Sequence, residues 1–143
     1  MGGLTASSVA SVSADPPMLS FSMPQGGRTA QHVTAAARVG VHLLPVTRVD
    51  LAEAFARRGG PRFTPDQGWE LDSEGVLYLP DALATLTGVP RVVLPAGSSS
   101  LVVLDVEAVS IGPAAEPLTY QDGTFRGLGR PAALSLIDRG VSA

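Results

Sequence analysis

The chain has no cysteine, no lysine and no asparagine among its 143 residues. Without cysteine there is no disulfide framework, no thiolate nucleophile and no zinc–thiolate site. Only two histidines, His32 and His42, carry protons near neutral pH. A Ser-His-Asp triad or a His-rich metal site would have to be built around one of them. Neither has a carboxylate at a recognisable spacing, so no catalytic side chain and no metal ligand is assigned. Charged residues make up 16% of the chain and aromatic residues 5%, leaving a bland surface of the kind a partner chain covers. The ten basic residues are all arginine, spread along a chain of net charge −3, which argues against nucleic acid as a partner. No apolar run approaches the roughly 20 residues of a membrane span. The opening MGGLTASS has no basic n-region of a signal peptide. The expected location is the cytoplasm, with no membrane partner.

What is present is one domain's worth of chain, residues 1–143, with a hydrophobic fraction of 45% to fill a single core. Thr5 to Ser13 alternates Ser or Thr with Ala or Val, as a half-buried strand does. Asp15-Pro16-Pro17 stops it, because proline cannot donate to a ladder. Met18 to Met23 reads as a second strand, with Leu19, Phe21 and Met23 on the core side. Pro24 to Arg28 is a loop, and Thr29 is placed to cap a helix running to about Ala37. A strand over Val39–Leu44 ends at Pro45. Thr47-Arg48-Val49-Asp50 has the form of a capping box for a second helix through Arg58, with Leu51 and Phe55 stacked at i, i+4 and Gly59-Gly60-Pro61 as the stop.

A loop over Arg62–Glu74 carries the sole tryptophan, Trp69, and Gly75–Leu79 is a short strand. A strand over Ala82–Leu94, bent or bulged at Gly88 and Pro90, turns at Gly97–Ser100 into the clearest strand, Leu101–Ile111. Pro117–Tyr120 and Thr124–Arg126 form a terminal hairpin, and Gly127 to Ala143 is an irregular or partly helical tail. Strands outnumber helices and show no βαβ rhythm, the pattern of a small barrel with one or two helices on its rim.

Gly26-Gly27-Arg28-Thr29, at a helix start, is the most suggestive local feature. Backbone N–H groups, the helix dipole, a hydroxyl and a guanidinium together suit a phosphate; the simpler reading is a capped helix beside a solvated arginine. Ser7, Ser8, Ser11 and Ser13 either line a polar groove or form the wet face of an edge strand. Arg57, Arg58 and Arg62 either bring charge to a phosphate or, for the first two, complement a helix C-terminus. Asp105 and Glu107 share a strand face, a weak metal pattern without a histidine nearby.

The order of these features resembles the flavin reductase-like family with the FMN-binding split-barrel fold. Its G-M-T-A-S-S-F-T-S-V-S-x-x-P-P-L stretch is matched by Gly3 through Met18, its S-x-T by Gly27-Arg28-Thr29, and its F-A-x-R-G-x-x-R-F by Phe55 through Phe63. Its G-D-H-x-L turn corresponds to Gly97 through Leu101 and its closing hairpin to Pro117 through Phe125. The resemblance implies a mainly β split β-barrel with one or two flanking helices, assembled as a homodimer with FMN, or FAD, near the subunit interface. It places Thr5, Ala6, Ser7 and Ser8, with Ser11 beyond them, along the flavin ring. Gly27, Arg28 and Thr29 fall at the phosphate, with Arg57 and Arg58 to neutralise charge.

The implied activity is hydride transfer from NADH or NADPH to the flavin, furnishing reduced flavin to a separate monooxygenase. A flavin-binding accessory protein without turnover is the alternative. Such chemistry needs no protein nucleophile, in keeping with the missing cysteine. Gly27 stands where the family has serine and Ser99 where it has histidine. Relatives carry about thirty residues, the first barrel strand included, ahead of the T-A-S-S stretch, so the expectation is either a strand upstream of this one or a reduced variant whose barrel closes differently.

Overall fold

The computed structural model describes residues 1–129. Five strands form one antiparallel sheet in the order β1-β2-β7-β6-β3: β1 (Ala10–Ala14), β2 (Pro17–Pro24), β3 (Val39–Leu43), β6 (Ala84–Ala96) and β7 (Ser99–Ile111). Two small hairpins accompany it, β4 (Glu70–Leu71) with β5 (Leu77–Tyr78) and β8 (Leu118–Gln121) with β9 (Thr124–Gly127). Helix α1 (Gly27–Ala35) connects β2 to β3, and α2 (Val49–Ala56) follows β3. The chain is thus mainly β with two helices. The sheet stays open among the described residues and does not close into a barrel. The expected tail lies largely outside them.

The alternation in β2 sets the core. Leu19, Phe21 and Met23 are buried with Val33 of α1 and Val102 and Leu104 of β7, while Ser22 is exposed. Register follows from that face: Leu19 pairs with Leu104 and Phe21 with Val102, and a slip by one residue would turn every core side chain to solvent. A second cluster joins Leu51 and Phe55 of α2 to Leu79 and Ala82, with Phe63 and Trp69 packed against it. The i, i+4 pair expected in α2 is therefore its buried face.

The bends expected in β6 are present. Its pairing with β7 shifts between Thr87 and Gly88 and again between Pro90 and Val92, because proline offers no N–H and glycine admits a close approach.

Three local expectations are corrected. The first strand is Ala10–Ala14 rather than Thr5–Ser13; residues 4–8 leave the ladder because Leu4 and Ala6 pack on the core and the Thr5 hydroxyl donates to the Ala52 carbonyl at 2.6 Å. Helix α1 starts three residues early, with Gly26 at its N-cap and no side-chain cap, so Thr29 lies in the first turn instead of capping it. The Thr47–Asp50 capping box does not form; a 3-10 turn over Val46–Arg48 leads into α2 without a side-chain cap. A true capping box sits at Thr64 and Gln67, on a 3-10 turn with proline in its first turn. The same Thr-x-x-Gln signature was present in the sequence inside a stretch read as loop.

Candidate functional site

The Gly3–Ser8 segment meets the first turn of α1 and strand β2 in space. After Gly3, the segment through Ser8 runs past α1 to the exposed end of β2. The Thr29 hydroxyl faces the Gly3 carbonyl at 3.5 Å. Ser8 Oγ lies 2.6 Å from Ser22 Oγ and accepts from the Ser22 backbone N–H at 3.2 Å. Ala6 packs on the main core, whereas Ser7 and Ser11 are exposed. The hydroxyls of Thr5 and Ser8 are therefore committed to holding this segment in place. What the segment offers a ligand is backbone and the Ser7 side chain.

The glycine loop owes its shape to backbone freedom. Gly26 and Gly27 have φ of 76° and 78°, a region open to glycine and disfavoured for other residues. The turn is fastened from the far side: Gln25 N–H donates to the Ser98 carbonyl at 2.9 Å and its Nε2 to the Ser99 carbonyl at 2.8 Å. The loop, helix start and β6–β7 turn are thereby one unit, which brings Ser99 beside the glycine loop.

A pocket of about 330 Å³ opens at the start of α1, lined by Arg28, Thr29 and His32 from that helix and by Gly60, Arg62 and Phe63 from the turn after α2. Two guanidinium groups and the Thr29 hydroxyl make it suited to an anion, while Gly27 is not among the residues that line it. Of the arginines considered from sequence, the structure brings Arg62 to this pocket rather than Arg57 or Arg58. Arg57 pairs with Glu53 at 3.3 Å on an exposed helix face, and Arg58 is exposed. Arg62 Nη2 donates to the carbonyls of Phe55 at 3.2 Å and Arg57 at 3.0 Å, and its Nε is buried without an acceptor among the described residues. A buried donor left unpaired costs about 1–3 kcal/mol. The residues present fit a phosphate group.

A wider groove of about 1310 Å³ runs between the Gly3–Ser7 segment and β3, walled by Phe55, Phe63, Trp69 and Leu79. His42 lines it, its Nδ1 3.0 Å from Thr85 Oγ1 and its ring edge-on to Trp69 at 5.3 Å. Burial without a charged partner pushes the His42 imidazole down to about 4. It is a neutral packing residue at physiological pH. Exposed His32 joins the anion pocket instead. Asp105 is bound by Arg91 at 2.8 Å and Glu107 by Arg38 at 3.2 Å, so both carboxylates of the strand face are engaged by arginine. No cluster of three or more potential metal ligands occurs among the described residues.

Comparison with known proteins places this geometry. Residues 1–129 match the flavin reductase like domain, and the chain belongs to that family. It is 30% identical over 127 residues to an NADH:FMN oxidoreductase of Rhodococcus qingshengii, a match covering 86% of this chain and 66% of that protein. The chain therefore spans about two thirds of that relative's length. Among solved structures it resembles a flavin reductase domain protein from Arthrobacter sp. FB24, with a TM-score of 0.79 and 33% identity, covering 87% of this chain and 77% of the other. BorF, the flavin reductase component of a bacterial two-component tryptophan halogenase, superposes with a TM-score of 0.78 at 28% identity, covering 87% of this chain and 81% of that one. No helix among the described residues is long and apolar enough to cross a membrane.

Proposed function

We propose that this protein is a flavin reductase that passes a hydride from NADH or NADPH to FMN, or to FAD, and releases the reduced flavin to a separate monooxygenase in the cytoplasm. The observation that carries the reading is the pocket that Arg28, Thr29 and Arg62 line beside the first turn of α1, in a chain of the flavin reductase family. The names of relatives, an NADH:FMN oxidoreductase and the reductase component of a two-component halogenase, support both donor and acceptor. Flavin supplies the electron-accepting ring, and the protein supplies position.

In this reading Gly27, Arg28, Thr29 and Arg62 hold the phosphate, with the α1 dipole adding to their charge. The backbone of Thr5 to Ser8 and the Ser7 hydroxyl line the ring, and Ser11 extends that wall along β1. Arg57 and Arg58 contribute long-range positive potential from the neighbouring turn. None of these groups needs to exchange a proton with solvent for the hydride to move. That is how a site with no nucleophile and no paired acid and base serves the reaction.

The reading extends to a split barrel assembled as a homodimer. On the outer face of the sheet Val92 pairs with Val103 and Leu94 with Leu101, and Val92, Leu94 and Leu101 are 44%, 54% and 38% exposed. Ser20 and Ser22 continue that face across β2. A face of small and apolar side chains favours burial against a second copy at about 25 cal/mol per Å². Leu101→Glu is expected to shift the protein from dimer to monomer in analytical ultracentrifugation; an unchanged sedimentation coefficient would exclude this face as the interface.

The activity is tested by mixing the protein anaerobically with FMN and NADH. Bleaching of the flavin absorbance is the expected result. Absence of bleaching with either nucleotide overturns the reductase reading, and tight flavin binding without bleaching selects the accessory flavin-binding role.

A further inference from the structure

The β4–β5 hairpin is firmly tied within itself and loosely tied to the sheet beside it. Glu70 pairs with Tyr78 and Leu71 with Leu77, and the Tyr78 hydroxyl donates to Glu70 Oε2 at 2.8 Å across the two strands. Asp72 closes the turn: its Oδ1 accepts the N–H groups of Glu74 and Val76 at 2.9 and 2.8 Å, and its own N–H donates to the Val76 carbonyl at 2.9 Å. Such a unit moves as one body. Among the described residues no backbone hydrogen bond joins residues 70–78 to the five-stranded sheet. The two ends are fixed, because Leu79 is buried in the second core cluster and Trp69 packs on it, with Trp69 Nε1 donating to Gln67 Oε1 at 3.2 Å.

The polar tie to the sheet sits at the hairpin tip. Arg38, next to β3, pairs with Glu74 through Nη1 and with Glu107 of β7 through Nε, the latter at 3.2 Å. Glu107 belongs to the main sheet, so the guanidinium is anchored on one side and grips the hairpin on the other. Gly75, Val76 and Leu77 line the groove of about 1310 Å³ that Trp69 and Arg38 also line. Alternation across the strands puts Leu71 on the same face of the hairpin as Leu77, and Leu71 is 65% exposed. An apolar underside that is only partly covered favours closer seating over an apolar groove.

We propose that the β4–β5 hairpin is a lid on this groove, hinged at Trp69 and Leu79 and latched by the Arg38–Glu74 pair. The two side chains are 44% and 63% exposed, and an exposed ion pair is weak and screened by salt. The latch holds by a small margin, and the lid opens without unfolding either core cluster. The same groove is lined by Thr5, Ala6 and Ser7, so opening the lid changes access to that segment with or without a flavin beside it.

Trp69 is the sole tryptophan, so acrylamide quenching of its fluorescence reports the opening. Acrylamide is uncharged, and salt therefore acts on the protein alone. Between ~0.01 and ~1 M NaCl the screening length falls from about 30 to about 3 Å. Over that range the wild-type quenching constant is expected to rise about twofold, a shift in open population that an exposed ion pair of ordinary strength allows. Glu74→Gln and Arg38→Met are expected to show the raised constant already at low salt and to lose the salt response. Glu70→Gln removes a charge from the same hairpin and leaves the latch intact, so it should behave as the wild type.

Quenching that ignores salt in the wild type, or that Glu74→Gln and Arg38→Met leave at the wild-type value, overturns the proposal. An equal rise in Glu70→Gln also overturns it, since the effect would then follow net charge and not the latch. A pair that only supports the fold would lower the urea midpoint of Glu74→Gln without moving the quenching of the folded protein, and that result counts against the lid.

Discussion

Gly88→Ala is expected to destabilise the protein by about 3 kcal/mol, the upper end of the range for overpacked sites. Gly88 sits where β6 shifts register, opposite Val106 of β7. A Cβ added there would lie 1.9 Å from the Asp105 carbonyl oxygen and 2.8 Å from its carbon. These are backbone atoms of the neighbouring strand, with no flexible side chain to swing aside. The two longest strands would have to separate, and the ladder hydrogen bonds on either side of the bulge would lengthen.

Gly123→Ala makes the internal comparison. Its added Cβ meets nothing within 4 Å, and its only difficulty is a φ of 75°, worth about 1 kcal/mol. Urea unfolding of the two variants separates the causes. A Gly88→Ala midpoint no lower than that of Gly123→Ala would mean that the strands yield without cost.

Acid should weaken the fold through His42. Its folded pKa, about 4, lies below the ordinary value of 6.5, so the unfolded chain binds the extra proton between these values. Stability contributed by the neutral ring is complete above about pH 6.5. It is lost as pH falls toward 4, by at most about 3 kcal/mol for a shift of this size. The groups around the ring explain the sign: Thr85 is an uncharged partner, Trp69 meets the ring edge-on, and no carboxylate rewards protonation. Urea unfolding between pH 7 and pH 4.5 should show a steep decline in the wild-type protein. His42→Gln should flatten that decline even if it lowers stability at pH 7. Parallel slopes for the two proteins would remove His42 as the cause.

The main strands were legible because their causes are local. Met18–Met23 alternates strictly, and the long valine-rich run before Gly112 has no helical period. Gly88 and Pro90 carry their bulges in their own chemistry. The element ends depended on more distant partners. Thr5 leaves the first strand for a carbonyl 47 positions away, at Ala52, and no spacing within the opening stretch announces that bond. Thr29 lost its capping role because Gly26 and Gly27 could adopt a positive φ and begin the helix sooner.

The same division runs through the site. The glycine loop and the serine-rich segment were visible as motifs, and the fold brings them together at the Gly3 carbonyl and at Ser22. Arg62 was visible only as one of three arginines of equal standing. Its selection needed the end of α2 to be placed, since the carbonyls of Phe55 and Arg57 single it out. Exposed hydrophobic positions such as Leu94 and Leu101 read from sequence as part of strong strands, but only the register shows that they stand side by side on one outer face.

The attachment of Gln25 to the β6–β7 turn bears on how fast a ligand arrives. Two hydrogen bonds, to Ser98 and Ser99, fix the loop's orientation from behind, so under the proposed function the helix start is in place before an anion arrives. Entry through such a preset mouth follows diffusion and charge: the association rate falls as salt screens the arginines, without a saturating step from loop closure. Tightness then resides in how long the ligand stays.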